Sequence, residues 1–124
     1  TEAEWEYAAR GGESFTYSGS ETVTDVGWVE ENSEGRTHSV GGKLANSYGL
    51  YDMTGNVWEW GSDYYDDDYY DRAPDTNREN TSSAFTRIVR GGSWFVPASN
   101  ARVANRSSLA PGNRHPNIGF RIAR

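Results

Sequence analysis

The chain has 124 residues, a formal net charge of −6 and no cysteine. This length supports a single domain, and the lack of cysteine excludes disulfides, thiolate chemistry and cysteine-ligated zinc. No stretch approaches the roughly 18 consecutive apolar residues that a membrane-spanning helix requires. Five tryptophans, eight tyrosines and four phenylalanines predict a small aromatic core with many loops around it.

The charges are divided along the chain. All 18 acidic residues lie before residue 80, whereas residues 80–124 contain seven arginines and no acid. The simpler interpretation is that the two parts pack together and neutralise each other. A basic surface for nucleic acid is the alternative, and the acidic part opposes it because it would repel phosphate. We therefore predict no nucleic-acid partner.

The first predicted element is a helix over residues 2–10. Thr1 and Glu4 have the spacing of a capping box, in which each side chain satisfies a free backbone N–H of the first turn. Gly11-Gly12 ends the helix. Because the first residue is already a helix cap, we expect this sequence to be the later part of a larger domain.

Residues 13–49 are mostly turn residues, and residues 50–60 are the best-defined apolar segment. The latter predicts a turn at 54–56 followed by a strand over 57–60. Alternation along that strand places Trp58 and Trp60 on one face, which we expect to be buried.

Ser62–Asp71 is rich in aspartate but lacks the glycine and terminal glutamate of an EF-hand, so a solvated acidic loop is expected. Residues 72–86 continue as loop. Two further strands are predicted, over 86–90 and 119–123.

An irregular segment lies between two apolar ends, Gly91–Trp94 and Ile118–Arg121. Residues 95–117 keep neither helical nor strand periodicity for long. Such a segment between two well-defined ends is typical of a displayed surface. We expect four aromatic side chains to form a rigid base beneath it, namely Trp58, Trp60, Trp94 and Phe120.

Four motifs occur at 1–12 (TEAEWEYAARGG), 46–60 (NSYGLYDMTGNVWEW), 90–94 (RGGSW) and 118–121 (IGFR). In order and spacing they resemble the formylglycine-generating enzyme (sulfatase-modifying factor) family. The resemblance covers essentially the whole chain but only about the later half of that family's domain. It implies an α+β fold of the C-type lectin type, loop-rich with small twisted sheets, as one domain over 1–124.

The family's enzyme oxidises a substrate cysteine with two cysteines of its own that bind copper. The resemblance places those two positions at Val96 and Ala101, neither of which can bind copper. The enzyme's substrate-groove tryptophan and serine match Trp58 and Ser93, for which a core indole and a turn hydroxyl are the alternative roles. We therefore expect no copper and no enzymatic activity; an oxidase acting on a peptide cysteine is the alternative.

The resemblance also implies a calcium site. Its ligands map to the side chain of Asp52, the carbonyls of Gly55 and Val57, and the carboxylate of Glu59. Oxygen ligands alone suit a hard cation such as Ca²⁺. In the alternative interpretation, Glu59 faces solvent and Asp52 only caps a turn.

A second resemblance is to the variable proteins of diversity-generating retroelements, in which adenines of a template, mainly within Asn codons, are copied with errors into the end of a C-type-lectin-fold gene. It implies a variable ligand-binding region over 91–121. The varied positions would be Phe95, Val96, Pro97, Ser99, Asn100, Ser107, Ser108, Leu109, Ala110, His115, Pro116 and Asn117.

Together these features predict a non-catalytic module that displays a diversified surface. Its partner would be a protein or glycan on a cell or phage surface, and the module itself would be extracellular or at the cell surface. A catalytically inactive family member with another role is the alternative.

Overall fold

The computed structural model describes residues 1–76, 79–82 and 84–123. The fold is α+β, as predicted, and its regular elements are short. In chain order they are α1 (Glu2–Arg10), α2 (Val23–Val26), β1 (Gly27–Trp28), β2 (Thr54–Gly55), β3 (Trp58–Tyr64), α3 (Tyr69–Arg72), β4 (Arg87–Arg90), a 3₁₀ turn (Ala98–Ala101), β5 (Ser107–Leu109) and β6 (Ile118–Gly119).

Helix α1 begins and ends where the sequence predicts. The Thr1 hydroxyl accepts a hydrogen bond from the Glu4 amide at 3.3 Å, and the Glu4 carboxylate accepts one from the Thr1 amino group at 2.8 Å. Gly11 takes a left-handed conformation with φ of 60° and ends the helix. Both signals are local, which explains why they could be recognised without tertiary information.

The main sheet has four strands in the order β5-β4-β3-β6. β3 pairs antiparallel with β4 and parallel with β6, and β4 pairs antiparallel with β5. The two outer strands therefore both come from the arginine-rich part of the chain. β5 lies within residues 95–117, which we call the display segment, and β6 follows it directly. A separate two-stranded parallel sheet joins β1 to β2.

Several predicted boundaries were wrong. β3 runs from Trp58 to Tyr64, so the first residues of the predicted acidic loop belong to a strand, and α3 forms a helical turn within that loop. Thr54–Gly55 is a strand as well as the start of a turn. The predicted strand over 119–123 is reduced to β6, because its pairing with β3 ends at Gly119.

The core lies between α1, the 50–58 segment and the middle of the display segment. Ala9, Met53 and Val103 are buried together, and Trp58 is 6% exposed. The predicted aromatic base is only partly correct, since Trp60 and Trp94 are half-buried and Phe120 is 75% exposed. Phe120 follows the last paired residue of β6, so no strand pairing directs its ring toward the core.

An aromatic stack holds the long loop between β1 and β2. The rings of Trp28 and His38 are parallel, with centroids 3.7 Å apart, and the Lys43 ammonium lies 3.9 Å from the Trp28 ring centroid. Asn56 accepts from the His38 amide at 3.0 Å and donates to the His38 carbonyl at 3.1 Å. Such stacking and cation–π contacts stabilise a loop that contains little regular structure.

The glycine pair before the display segment is required by its backbone and by close packing. Gly91 and Gly92 have φ of 92° and 75°, a region that other residues rarely adopt. A Cβ on Gly92 would lie 2.8 Å from the Cα of Ala101. The pair therefore turns the chain and lets the 3₁₀ turn pack directly on it. None of the described helices has the length and apolarity to cross a membrane.

Candidate display surface and cation site

Hydrogen bonds bring the two ends of the display segment together. The Asn117 side chain donates to the Ser93 hydroxyl at 3.2 Å, and the Asn117 carbonyl accepts from the Trp58 amide at 2.8 Å. The Trp94 amide donates to the Asn56 carbonyl at 2.8 Å. Residues 95–116 are thus a loop with a closed, buried base.

The middle of the segment is fixed by ion pairs to helix α1. Arg106 donates to both carboxylate oxygens of Glu2, at 2.8 and 3.0 Å. Arg90 donates to Glu2 at 2.7 Å and to the Val103 carbonyl at 2.7 Å. Glu2 and Arg90 are 2% and 0% exposed. The prediction that the acidic and basic parts of the chain neutralise each other is confirmed by these pairs.

The predicted variable positions divide by exposure, and eleven of the twelve reach solvent. Six are exposed (Phe95, Pro97, Ser99, Ala110, His115 and Pro116), and five are half-buried (Val96, Asn100, Ser107, Ser108 and Leu109). Asn117 is 8% exposed, and its polar atoms contact Ser93 and His115. This side chain closes the loop instead of facing outward. The segment is also more regular than predicted, because it contains the 3₁₀ turn and β5.

The resemblance assigns four positions to the family's catalytic and groove residues, namely Val96, Ala101, Trp58 and Ser93. Ala101 is fully buried and Val96 is half-buried. The Ser93 hydroxyl is buried and accepts from Asn117, and Trp58 is buried in the sheet. These are the core and turn roles that the sequence offered as the alternative.

Arg106 also lies against two tyrosines of the acidic region. Its guanidinium carbon is 5.2 Å from the Tyr65 ring centroid and 4.9 Å from that of Tyr70. Burial, followed by the charge of Glu2, raises the pKa of Tyr70 to about 12. A neutral phenol is therefore favoured beside the Glu2–Arg106 pair.

Tyr70 makes the fold sensitive to alkali. An unfolded tyrosine titrates near 10, so from about pH 10 to about pH 12 the folded chain retains a proton that the unfolded chain loses. Stability falls with rising pH wherever the folded state binds more protons. Tyr70→Phe should flatten the decline of the thermal midpoint over this range, and Tyr51→Phe, at an exposed ring, should leave it unchanged. A Tyr70→Phe decline as steep as that of wild type would contradict this expectation.

The four predicted calcium ligands line one pocket, together with Gly41 and Arg121 among others. One Asp52 oxygen, Oδ2, accepts from the Gly41 amide at 2.7 Å. The other, Oδ1, is buried and has no hydrogen-bond partner among the described residues. Because a buried anionic oxygen without a partner is costly, Asp52 fits a bound cation.

Glu59 is already paired with a cation from its own chain. It is 6% exposed and accepts from Arg121 Nη2 at 2.6 Å and from Trp5 Nε1 at 2.7 Å. The interpretation that Glu59 faces solvent is therefore wrong. Among the described residues no cluster of three or more His, Cys, Asp or Glu side chains has metal-binding geometry, so carbonyl groups would have to complete a site.

Sequence reasoning missed two residues that position this surface, Glu2 and Arg121, and it did not predict that Arg106 pairs with Glu2. A usable signal was present, because residues 80–124 contain arginines without a single acid. A buried arginine needs an acidic partner, and such partners could only come from the earlier part of the chain.

The fold and these motifs define a small C-type-lectin-like α+β domain, and the comparisons give its family. The whole chain, residues 1–124, matches the sulfatase-modifying factor enzyme 1-like domain. It is 37% identical to the formylglycine-generating enzyme of Streptomyces coelicolor over 99% of this chain and 45% of that protein. The chain therefore belongs to the sulfatase-modifying factor enzyme 1-like family.

Two solved structures are similar throughout the chain. Treponema denticola variable protein 1 matches with a TM-score of 0.86 and 38% identity, over 97% of this chain and 44% of that one. PvdO from Pseudomonas aeruginosa matches with a TM-score of 0.82 and 33% identity, over 97% and 49%. The chain thus spans about half the length of the proteins it resembles.

Proposed function

We propose that this domain is a non-catalytic ligand-binding module, a variable protein of a diversity-generating retroelement, that displays residues 95–117. The observation that carries the proposal is that this segment is largely exposed on a base held by a few buried or paired residues. Ala101, Val103 and Arg106, which lie outside the predicted varied set, are buried or paired with Glu2. Eleven of the twelve predicted varied positions reach solvent. Such a surface can change without loss of the fold.

Two further observations support this proposal. The similarity to Treponema denticola variable protein 1 extends over nearly the whole chain. The chain also contains no cysteine, so it lacks the thiolates that a cysteine-based copper oxidase would use. A protein or glycan ligand suits the shallow, mixed aromatic and polar composition of the displayed positions.

A pair of substitution libraries tests the proposal. In the first, the eleven solvent-reaching positions are randomised together; in the second, Ala101, Val103 and Arg106 are randomised. We expect most members of the first library to keep the wild-type thermal midpoint within a few degrees, because surface changes cost little. Most members of the second should fail to fold. Similar losses in both libraries would refute the proposal.

An oxidase acting on a peptide cysteine is the second candidate, because relatives of this chain are formylglycine-generating enzymes. Incubation with Cu⁺, oxygen and a cysteine-containing peptide distinguishes the two. The display proposal expects neither tight copper binding nor conversion of the peptide cysteine to an aldehyde. Detection of the aldehyde by mass spectrometry would favour the enzyme.

We propose in addition that Ca²⁺ binds at Asp52, the carbonyls of Gly55 and Val57, and Glu59, where it would tie the 41–59 loops together. The unpartnered Asp52 oxygen supports this site, and Arg121 opposes it because its guanidinium already compensates the charge of Glu59. The two cations would compete for one carboxylate.

Because of this competition, two substitutions should change calcium binding in opposite directions. Asp52→Ala should abolish the rise in thermal midpoint on calcium addition, whereas Arg121→Gln should increase calcium affinity because it frees the Glu59 carboxylate. Thermal unfolding with and without Ca²⁺ measures the first effect, and calorimetric titration with Ca²⁺ measures the second. Glu30→Ala, an exposed acid outside the pocket, is the control. A calcium response unchanged by Asp52→Ala would contradict the site.

A further inference from the structure

Six of the twelve predicted ligand-binding positions form two groups near opposite edges of the main sheet. One, which we call the aromatic group, consists of Phe95, His115 and Pro116 together with Trp94 of the predicted base. His115 and Pro116 lie just before β6, and the Phe95 ring contacts those of Trp94 and His115. The other, the strand group, is Ser107–Leu109, which forms β5. Because β5 and β6 are the two outer strands, three strand spacings of nearly 5 Å separate their backbones by about 14 Å. A small ligand can contact only one group.

The aromatic group joins the first and last parts of the display segment. The Phe95 ring centroid lies 5.2 Å from that of Trp94, edge to face, and 6.3 Å from that of His115. Phe95 nevertheless stays 60% exposed. The His115 ring contacts the Asn117 side chain, which is held in turn by Ser93. An exposed ring is thus supported from behind and from the side before any ligand arrives.

Rigid aromatic side chains of this kind give large contact area at low entropic cost, and they dominate the energy of many protein interfaces. The strand group offers two serine hydroxyls and a leucine, all half-buried. Hydroxyl groups at a sheet edge gain little on binding, because they exchange hydrogen bonds with water for hydrogen bonds with a partner. The aromatic group is therefore the stronger candidate for the centre of contact.

The charge of the display segment indicates the kind of partner. Apart from His115, every charged side chain within 95–117 is an arginine. Arg102 and Arg114 are exposed, whereas Arg106 is sequestered by Glu2. Two acids lie on the loop that packs against the start of the segment. The Glu31 carboxylate accepts from the Ala98 amide at 3.1 Å, and Glu30, whose amide donates to the Val96 carbonyl, faces solvent. The free positive charge of the segment thus favours a partner with carboxylates.

We propose that the aromatic group is the contact centre for an apolar side chain on an acidic segment of a protein ligand, with Arg102 and Arg114 pairing its carboxylates. This inference rests on the display function proposed above. It assigns Phe95 and His115 the main binding role and leaves the strand group outside the contact centre.

Selection from a phage library of random short peptides, with the 124-residue chain as bait, tests the inference. We expect enriched peptides that combine acidic residues with an aromatic residue or leucine. Phe95→Ala and His115→Ala should each lower the affinity of the chain for synthetic copies of these peptides by about tenfold or more. Phe85→Ala removes an equally large ring that is 98% exposed outside the segment, and it should change affinity less than about twofold, as should Leu109→Ala.

The other outcomes each decide a different point. Enrichment of basic peptides would overturn the inference while the display function stands. A loss of peptide affinity in Leu109→Ala equal to that in Phe95→Ala would have the same meaning. Binding on a glycan array without any enriched peptide would do the same. Failure of both the library and the array to yield a binder would overturn the display function together with the inference.

Discussion

Glu2→Ala is expected to lower the free energy of unfolding by about 3–5 kcal/mol, because it leaves buried charge without a partner. Arg90 is 0% exposed and pairs with Glu2 at 2.7 Å, and Arg106 pairs with the same carboxylate. Urea denaturation followed by tryptophan fluorescence measures the change, provided that the slope of the free energy of unfolding against urea concentration is the same in both proteins. The effect is large because one carboxylate serves two arginines.

Two controls make this expectation specific. Glu30→Ala removes an exposed acid and should cost less than about 0.5 kcal/mol. Glu2→Gln keeps the shape of the side chain but not its charge. Its loss in free energy of unfolding should lie between those of Glu30→Ala and Glu2→Ala, and it should remain measurable if Glu2→Ala does not fold. A Glu2→Ala variant within about 1 kcal/mol of wild type would mean that the buried ion pairs do not hold the segment.

Trp58→Ala is expected to cost about 3–5 kcal/mol, the usual loss for a large buried aromatic side chain. Trp58 is 6% exposed at the start of β3, where its amide also binds the Asn117 carbonyl. Its removal would leave a cavity beneath the closed base of the display segment. Thermal and urea unfolding of the purified chain measure this loss.

Phe120→Ala is the matched comparison, because the sequence suggested that both side chains form the aromatic base. Phe120 is 75% exposed, so its truncation should change stability by less than about 0.5 kcal/mol. Equal losses for the two variants would mean that Phe120 packs into the core after all, contrary to the structure.

Local signals were sufficient to predict part of the fold. The capping box and Gly11 indicated both ends of α1. Each of these depends only on backbone chemistry within a few residues. The family motifs then supplied the fold class, which similarity to solved structures confirms.

Features that depend on distant partners could not be predicted. Glu59 faces inward because Arg121 and Trp5 meet it from sequence separations of 62 and 54 residues. Phe120 is exposed because β6 ends one residue earlier, which no local pattern determines. Asn117 looked like a varied surface position, but its contacts with Ser93 and Trp58 come from the closure of a loop of more than 20 residues.

We propose that residues 95–117 vary by a programmed mechanism on a fixed scaffold. Sequencing the DNA downstream of this gene tests it most directly. The account predicts a near-copy of codons 91–121 that differs at adenines within the codons of the varied positions, beside a reverse-transcriptase gene. A locus without such a repeat would contradict programmed diversification, and it would leave a non-catalytic family domain whose loop is fixed in sequence.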